Sequence, residues 1–198
     1  AGLPLVSDTL HGMAVGPEHY KIWHNTATCG PFGSAMTGAT LLGLDDAAAT
    51  HAMGNAGTQS AGVWEFLATG AMSKHLHAAR AAEAGVVAAE LAALGFTGPP
   101  AILEGATGFF AAACPDADPG AVLRDPHAPW QLHETSIKPW PSCRHTHPVI
   151  EAGLELAPGL DCAAIEAVDI ATYGAALDVC NRPVANSEYE AKFSLQHC

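Results

Sequence analysis

The stretch from Leu76 to Leu94 constrains this chain more than any other. It reads Leu-His-Ala-Ala-Arg-Ala-Ala-Glu-Ala-Gly-Val-Val-Ala-Ala-Glu-Leu-Ala-Ala-Leu. Alanine loses no side-chain entropy in a helix and is the best helix former. The density of alanine, with Gly85 in its midst, lets a neighbouring helix approach closely. Few large side chains mark one face, so the helix is expected to be buried nearly all round. Gly95 closes it, and Gly98-Pro99-Pro100 stops any continuation. About a fifth of all residues are alanine. The fold class expected is therefore mostly α.

Other elements follow from local signals. Small and apolar residues run from Phe32 to about Leu44. Asp45 is placed to cap a helix from Asp46 to about Gln59. Val63 to Leu67 reads as a short helical piece. From Cys114 to Pro129, prolines, aspartates and Gly120 make a loop-rich connector. A domain boundary is expected near residue 134, giving a helical part over 1–134 and a second part over 135–198. In the second part His147 to Leu156 reads as a helix. Ala167 to Tyr173 alternates in a β-rich pattern and is the best strand candidate. Residues Glu188 to Gln196 read as the start of a further helix. No internal repeat of fixed period is present.

Charge excludes several functions. Eight Lys+Arg stand against 20 Asp+Glu, a formal net charge of −12, with 11 histidines besides. Nucleic acid is not an expected partner, because phosphate binding needs clustered cations. Charged residues make up 14% and hydrophobic residues 49%, which argues against disorder. A chain of this length buries about 70% of its unfolded surface, enough for a core without staples. No run approaches the roughly 18 apolar residues of a membrane helix, and no secretory signal is visible. The six cysteines are scattered without a C-x-x-C pair. They point to a reducing, cytoplasmic setting. Both ends read as cut, as in a fragment of a longer protein.

Three segments concentrate ionisable residues in glycine-rich, apolar surroundings. In Trp23-His24-Asn25-Thr26-Ala27-Thr28-Cys29-Gly30, a histidine precedes hydroxyls at an expected helix start, where backbone N–H groups favour an anion; a merely capping or packing histidine is the alternative. In Met72-Ser73-Lys74-His75-Leu76-His77-Ala78-Ala79-Arg80, four basic or imidazole groups gather at the start of the most apolar helix. Cations there oppose the helix dipole, a cost that favours function over a solvated helix end. In Ile137-Lys138-Pro139-Trp140-Pro141-Ser142-Cys143-Arg144-His145-Thr146-His147-Pro148, a thiol, a guanidinium and two imidazoles follow two stiffening prolines. Cys143, His145 and His147 admit a zinc reading, although their spacing matches no standard ligand pattern. A Cys143 nucleophile, its thiolate stabilised by Arg144 and the histidines, is another reading. No hydrolase elbow or phosphate-binding P-loop is present.

These segments carry a resemblance. Trp23-His24-Asn25-Thr26, Gly62-Val63-Trp64-Glu65-Phe66, Ser73-Lys74-His75-Leu76-His77, Gly95-Phe96-Thr97-Gly98-Pro99 with Leu103-Glu104-Gly105, Lys138 to His147, and Ala191-Lys192-Phe193-Ser194-Leu195-Gln196 occur in an order that resembles the MmgE/PrpD family. That family includes 2-methylcitrate dehydratase, cis-aconitate decarboxylase and iminodisuccinate epimerase. The resemblance implies an all-helical domain followed by the start of a smaller α+β lid, an active site in the cleft between them, and a homodimer. It implies His24, Lys74 and Lys138 as catalytic residues. Arg144, Cys143, His147 and His77 are its substrate-binding candidates. Cys143 falls where the decarboxylase branch has a histidine. Of the family's upstream acidic motif only Ser7-Asp8-Thr9-Leu10-His11 bears a likeness, and no role is carried onto it.

The residues and the resemblance lead to one chemistry. Removing a proton beside a carboxylate builds negative charge on that carboxylate, and cations must already wait there. Lys74, Lys138 and Arg144 suit that task, and His24 suits proton transfer at neutral pH. The expected function is a cofactor-independent lyase of the 2-methylcitrate dehydratase type, acting on a small di- or tricarboxylate. An iminodisuccinate-type epimerase is the alternative enzyme. A truncated, non-catalytic paralogue that only binds or dimerises is the alternative outside enzymes.

Overall fold

The computed structural model describes residues 15–122, 133 and 136–198. The Ser7–His11 likeness and the end of the proline-rich connector lie outside them. The chain divides into two compact units, Ala1–Thr135 and Ser136–Cys198. No helix among the described residues is long and apolar enough to cross a membrane.

The first unit is built on three helices. After a short α1 (Gly16–Tyr20), α2 spans Asn25–Leu41, α3 spans Asp46–Gly57 and α5 spans Lys74–Ala93, with a one-turn α4 (Phe66–Thr69) between the last two. A five-residue α6 (Phe109–Ala113) follows. The Asp45 carboxylate accepts the Ala48 N–H at 2.8 Å, the cap its position predicts, contributing about 1 kcal/mol. α2 and α5 end alike. Leu44 N–H bonds Ala39 C=O and Gly43 N–H bonds Thr40 C=O; Phe96 N–H bonds Leu91 C=O and Gly95 N–H bonds Ala92 C=O. These are paired Schellman closures. Each needs a left-handed residue, and Gly43 and Gly95 supply φ of 67° and 86°.

Small residues set how closely α2 and α5 pack. A β-carbon added at Gly30 would lie 2.8 Å from that of Ala81, one at Gly85 2.3 Å from that of Ser34, and one at Gly38 2.8 Å from that of Ala89. Both helices advance by four residues at each contact, so they run parallel. Ser34 Oγ donates to Ala82 C=O at 2.7 Å across the seam. Ala35, Ala39, Ala52, Ala56, Ala88, Ala89 and Ala92 form one core where α3 joins them; Val15, Cys29, Phe32, Phe109, Phe110 and Cys114 form a second.

The all-round burial expected of α5 is corrected. Its buried residues, Ala81, Ala84, Gly85, Ala88, Ala89 and Ala92, form a stripe at helical spacing. Val86 and Val87 lie outside that stripe and are exposed. The expected helical piece at Val63–Leu67 also shifts, because Val63 forms an antiparallel bridge with Trp23 and the turn begins only at Phe66.

The second unit contains α7 (His147–Leu156), α8 (Gly174–Cys180) and a one-turn α9 (Glu188–Ala191). The α7 bounds are those its sequence predicts. α9 is capped by Ser187 Oγ, which accepts the Glu190 N–H at 3.1 Å. The strand expected over Ala167–Tyr173 is corrected: these residues are neither helical nor paired in a ladder. Alternation prepares a segment for a sheet, but a strand also needs a neighbour to accept its backbone bonds, and none is present among the described residues. The mostly helical class holds.

Candidate active site

In the first unit, a backbone crossing assembles a cluster from residues far apart in sequence. His24 N–H bonds Gly62 C=O at 3.0 Å, and Trp64 N–H bonds Ile22 C=O at 3.1 Å. The Trp64 indole N–H also donates to Trp23 C=O at 2.9 Å. This fixes the Trp64 ring 4.6 Å from the His24 ring. His24 itself is the N-cap residue of α2 in extended conformation.

α5 brings the other half. Lys74 and His77 lie three residues apart in its first turn and so share a side of the helix. His77 Nδ1 lies 2.8 Å from His24 Nδ1. The Lys74 ammonium lies 5.6 Å from the Trp64 ring centre and 6.0 Å from that of Phe66, within cation–π range. His77 packs edge-on to Phe66 at 5.5 Å. The sequence-predicted residues His24, Lys74 and His77 therefore meet, on an aromatic shelf of Trp64 and Phe66.

The electrostatics are one-sided. Burial first, then the Lys74 charge and then His77, push His24 down to about 4. Burial and Lys74 lower His77 as well. Both imidazoles are neutral at pH 7 beside a cation. A neutral imidazole is a proton acceptor and an ammonium is a carboxylate partner. The cluster therefore has the two functions needed to deprotonate a carbon beside a carboxylate.

The second unit carries the remaining sequence-predicted residues, Lys138, Cys143, Arg144 and His147. Lys138 Nζ donates to Ser142 C=O at 3.1 Å, closing the Lys-Pro-Trp-Pro-Ser turn. Thr146 Oγ1 donates to Cys143 C=O at 2.9 Å, so Ser142 Oγ is the donor in its 2.8 Å bond to Thr146 Oγ1. Cys143 N–H bonds Lys192 C=O at 2.7 Å, tying this motif to Ala191–Gln196. Arg144 Nη1 donates to His147 Nδ1 at 3.2 Å. Since guanidinium only donates, His147 carries its proton on Nε2. That residue is 2% exposed, and its Nε2 has no hydrogen-bond partner among the described residues. Trp140 packs edge-on to it at 5.2 Å.

The zinc grouping of Cys143, His145 and His147 is not assembled. His145 Nδ1 pairs with the Tyr173 hydroxyl at 2.5 Å while His147 turns to Arg144. Among the described residues, no three His, Cys, Asp or Glu side chains converge to hold a metal ion.

Sequence reasoning did not single out His19, which is 1% exposed. Its Nδ1 donates to Ala113 C=O at 2.8 Å and its Nε2 accepts from Thr28 Oγ1 at 2.9 Å. With both nitrogens engaged it ties α1 to α2 and α6. Trp64 and Phe66 entered only as part of a motif; nothing in their spacing identifies them as the shelf under Lys74. The Asn25 side-chain oxygen, next to His24 in sequence, is buried without a hydrogen-bond partner among the described residues.

Two family models match the chain. One describes the MmgE/PrpD N-terminal domain and covers residues 9–121; the other describes the MmgE/PrpD C-terminal domain and covers residues 140–198. No curated protein matches it.

Proposed function

The chain belongs to the MmgE/PrpD family, and on that premise we propose that it is a lyase of the 2-methylcitrate dehydratase type, acting on a small di- or tricarboxylate. The observation that carries this reading is the meeting of His24 with His77 at 2.8 Å beside the Lys74 ammonium over the Trp64 ring, where burial and then the Lys74 charge lower His24. Members of this family are generally lyases or related enzymes.

The proposed chemistry starts with a substrate carboxylate on Lys74. Its negative charge offsets the cation that depresses His24. The imidazole then gains affinity for a proton when the substrate is in place. His24 takes the proton from the carbon beside the carboxylate, and Lys74 stabilises the charge that develops there. Lys138 and Arg144 are proposed as further carboxylate contacts. The side chains named supply all the groups this step uses, without a cofactor.

The test is a thermal-shift screen of di- and tricarboxylates, because a ligand that binds only the folded state raises its stability. Turnover of the hit by Lys74→Ala and Lys138→Ala follows. Loss of turnover in both supports the reading; normal turnover in both overturns it. Proton exchange from deuterated water without net dehydration assigns the epimerase chemistry instead.

A homodimer and a cytoplasmic setting complete the proposal. Leu41 and Leu42 close α2, Leu94 and Phe96 close α5, and all four are exposed at the same end of the parallel pair. Sedimentation of the intact chain tests association. The six cysteines form no disulfide, which suits a reducing environment.

A further inference from the structure

Two imidazole nitrogens 2.8 Å apart must hold one proton between them. With two protons the N–H groups would collide, and with none the lone pairs would repel. Two arrangements satisfy this. In one, His24 Nδ1–H donates to His77 Nδ1, leaving a lone pair on His24 Nε2 and a proton on His77 Nε2. In the other, both outward nitrogens are reversed.

The surroundings separate the two. His77 borders a groove of about 220 Å³ with Gln59, Gly62, Leu76 and Arg80, where an outward N–H can reach water. His24 is pressed against Trp64, and burial leads the causes that make it disfavour a second proton. The charged groups on α5 near the pair are Lys74, whose field reaches both rings, and Arg80, which pairs with Glu83.

We propose that His77 is the positioning residue of the base: its Nδ1 accepts the Nδ1–H of His24 and thereby presents the Nε2 lone pair of His24 for the substrate's proton. This rests on the reading of His24 as the base. The step balances. The C–H bond breaks, its electron pair stays on carbon and delocalises into the carboxylate, and an N–H bond forms at His24 Nε2. The imidazolium keeps its Nδ1–H on His77. The departing hydroxide then takes the Nε2 proton, leaving as water and restoring neutral His24.

The experiment is long-range ¹H–¹⁵N correlation of the ¹⁵N-labelled full chain, with His24 signals identified by their loss in His24→Gln. At pH 7 the expected pattern is His24 protonated on Nδ1 and His77 on Nε2. His77→Asn keeps the His24 pattern, because the amide oxygen accepts from the same place. His77→Leu loses it, and lowers kcat about 10- to 100-fold with KM little changed, the scale of losing an orienting partner; His77→Asn restores most of kcat. His24 protonated on Nε2 in the wild type overturns the proposal, as does an unchanged pattern in His77→Leu. If His77→Leu does not fold, the wild-type spectrum alone decides. If the tautomers are as proposed but His24→Gln turns over normally, the base assignment fails and the pair stands.

Discussion

His24 and His77 are 53 positions apart in the chain, yet their Nδ1 atoms lie 2.8 Å from each other. Two local facts produce this contact. The crossing of 22–24 with 62–64 fixes His24 beside Trp64, and the first turn of α5 presents His77 with Lys74. The result is a pair of neutral bases inside a protein of net charge −12, beside one of its eight fixed cations.

The first prediction concerns pH and folding. His24 is held at about 4 when folded, against its ordinary 6.5. Between those values the unfolded chain binds a proton that the folded chain does not. By linkage, the stabilising contribution is full above about 6.5 and is lost as pH falls toward 4. His77, lowered too, adds in the same direction. The urea midpoint of the wild type should fall more steeply than that of His24→Gln between pH 6.5 and pH 4.5. Parallel curves would show that His24 titrates normally in the fold.

A second prediction separates the causes of that shift. Burial is the largest and Lys74 the next. Lys74→Met removes a charge and keeps an apolar stem on the Trp64 ring. The His24 titration, followed by its ring proton resonances, should move up from about 4 and stay below 6.5. No movement would mean that the ammonium does not act on His24.

The parts legible in the sequence were those that local chemistry decides. Asp45 and Gly95 mark helix ends through the donors and carbonyls they satisfy, and α7 begins and ends where its sequence predicts. His24, Lys74 and His77 were each legible as members of motifs. Their meeting was not, because it depends on a bridge between Trp23 and Val63 that no periodicity announces. The open face of α5 was misjudged for a physical reason: alanine marks neither core nor surface. Arg80, Glu83 and Glu90, at spacings of three and seven, were the better signal of a solvated face. Alternation over Ala167–Tyr173 described a segment ready for a sheet without supplying its partner.

Close packing of α2 on α5 gives the third prediction. A β-carbon at Gly85 would meet the Ser34 β-carbon at 2.3 Å and the Ala35 backbone nitrogen at 2.5 Å. Gly85→Ala should cost about 1–3 kcal/mol through overpacking, despite the better helix propensity of alanine. Gly95→Ala meets nothing within 4 Å, so its cost of about 1–2 kcal/mol comes from the left-handed backbone alone. Denaturant midpoints measure both. The compensating Ser34→Gly should recover only part of the loss in Gly85→Ala, because the Ala35 backbone nitrogen still stands at 2.5 Å, and none in Gly95→Ala. Equal recovery in the two would refute the separate causes.

The last prediction addresses the buried imidazole of the second unit. Arg144 supplies the bond to His147 Nδ1, while the Nε2–H has no hydrogen-bond partner among the described residues. Arg144→Ala strips the Nδ1 partner, and a buried polar atom left alone costs about 1–3 kcal/mol. His147→Leu removes both nitrogens at once and loses the edge contact with Trp140. Once His147 is leucine, removing Arg144 should cost little, because no acceptor remains to be stranded. The two changes should therefore be non-additive by about 1 kcal/mol in a double-mutant cycle. Additivity within about 0.3 kcal/mol would mean that this bond does not hold the ring, and the Nε2 assignment would fall with it.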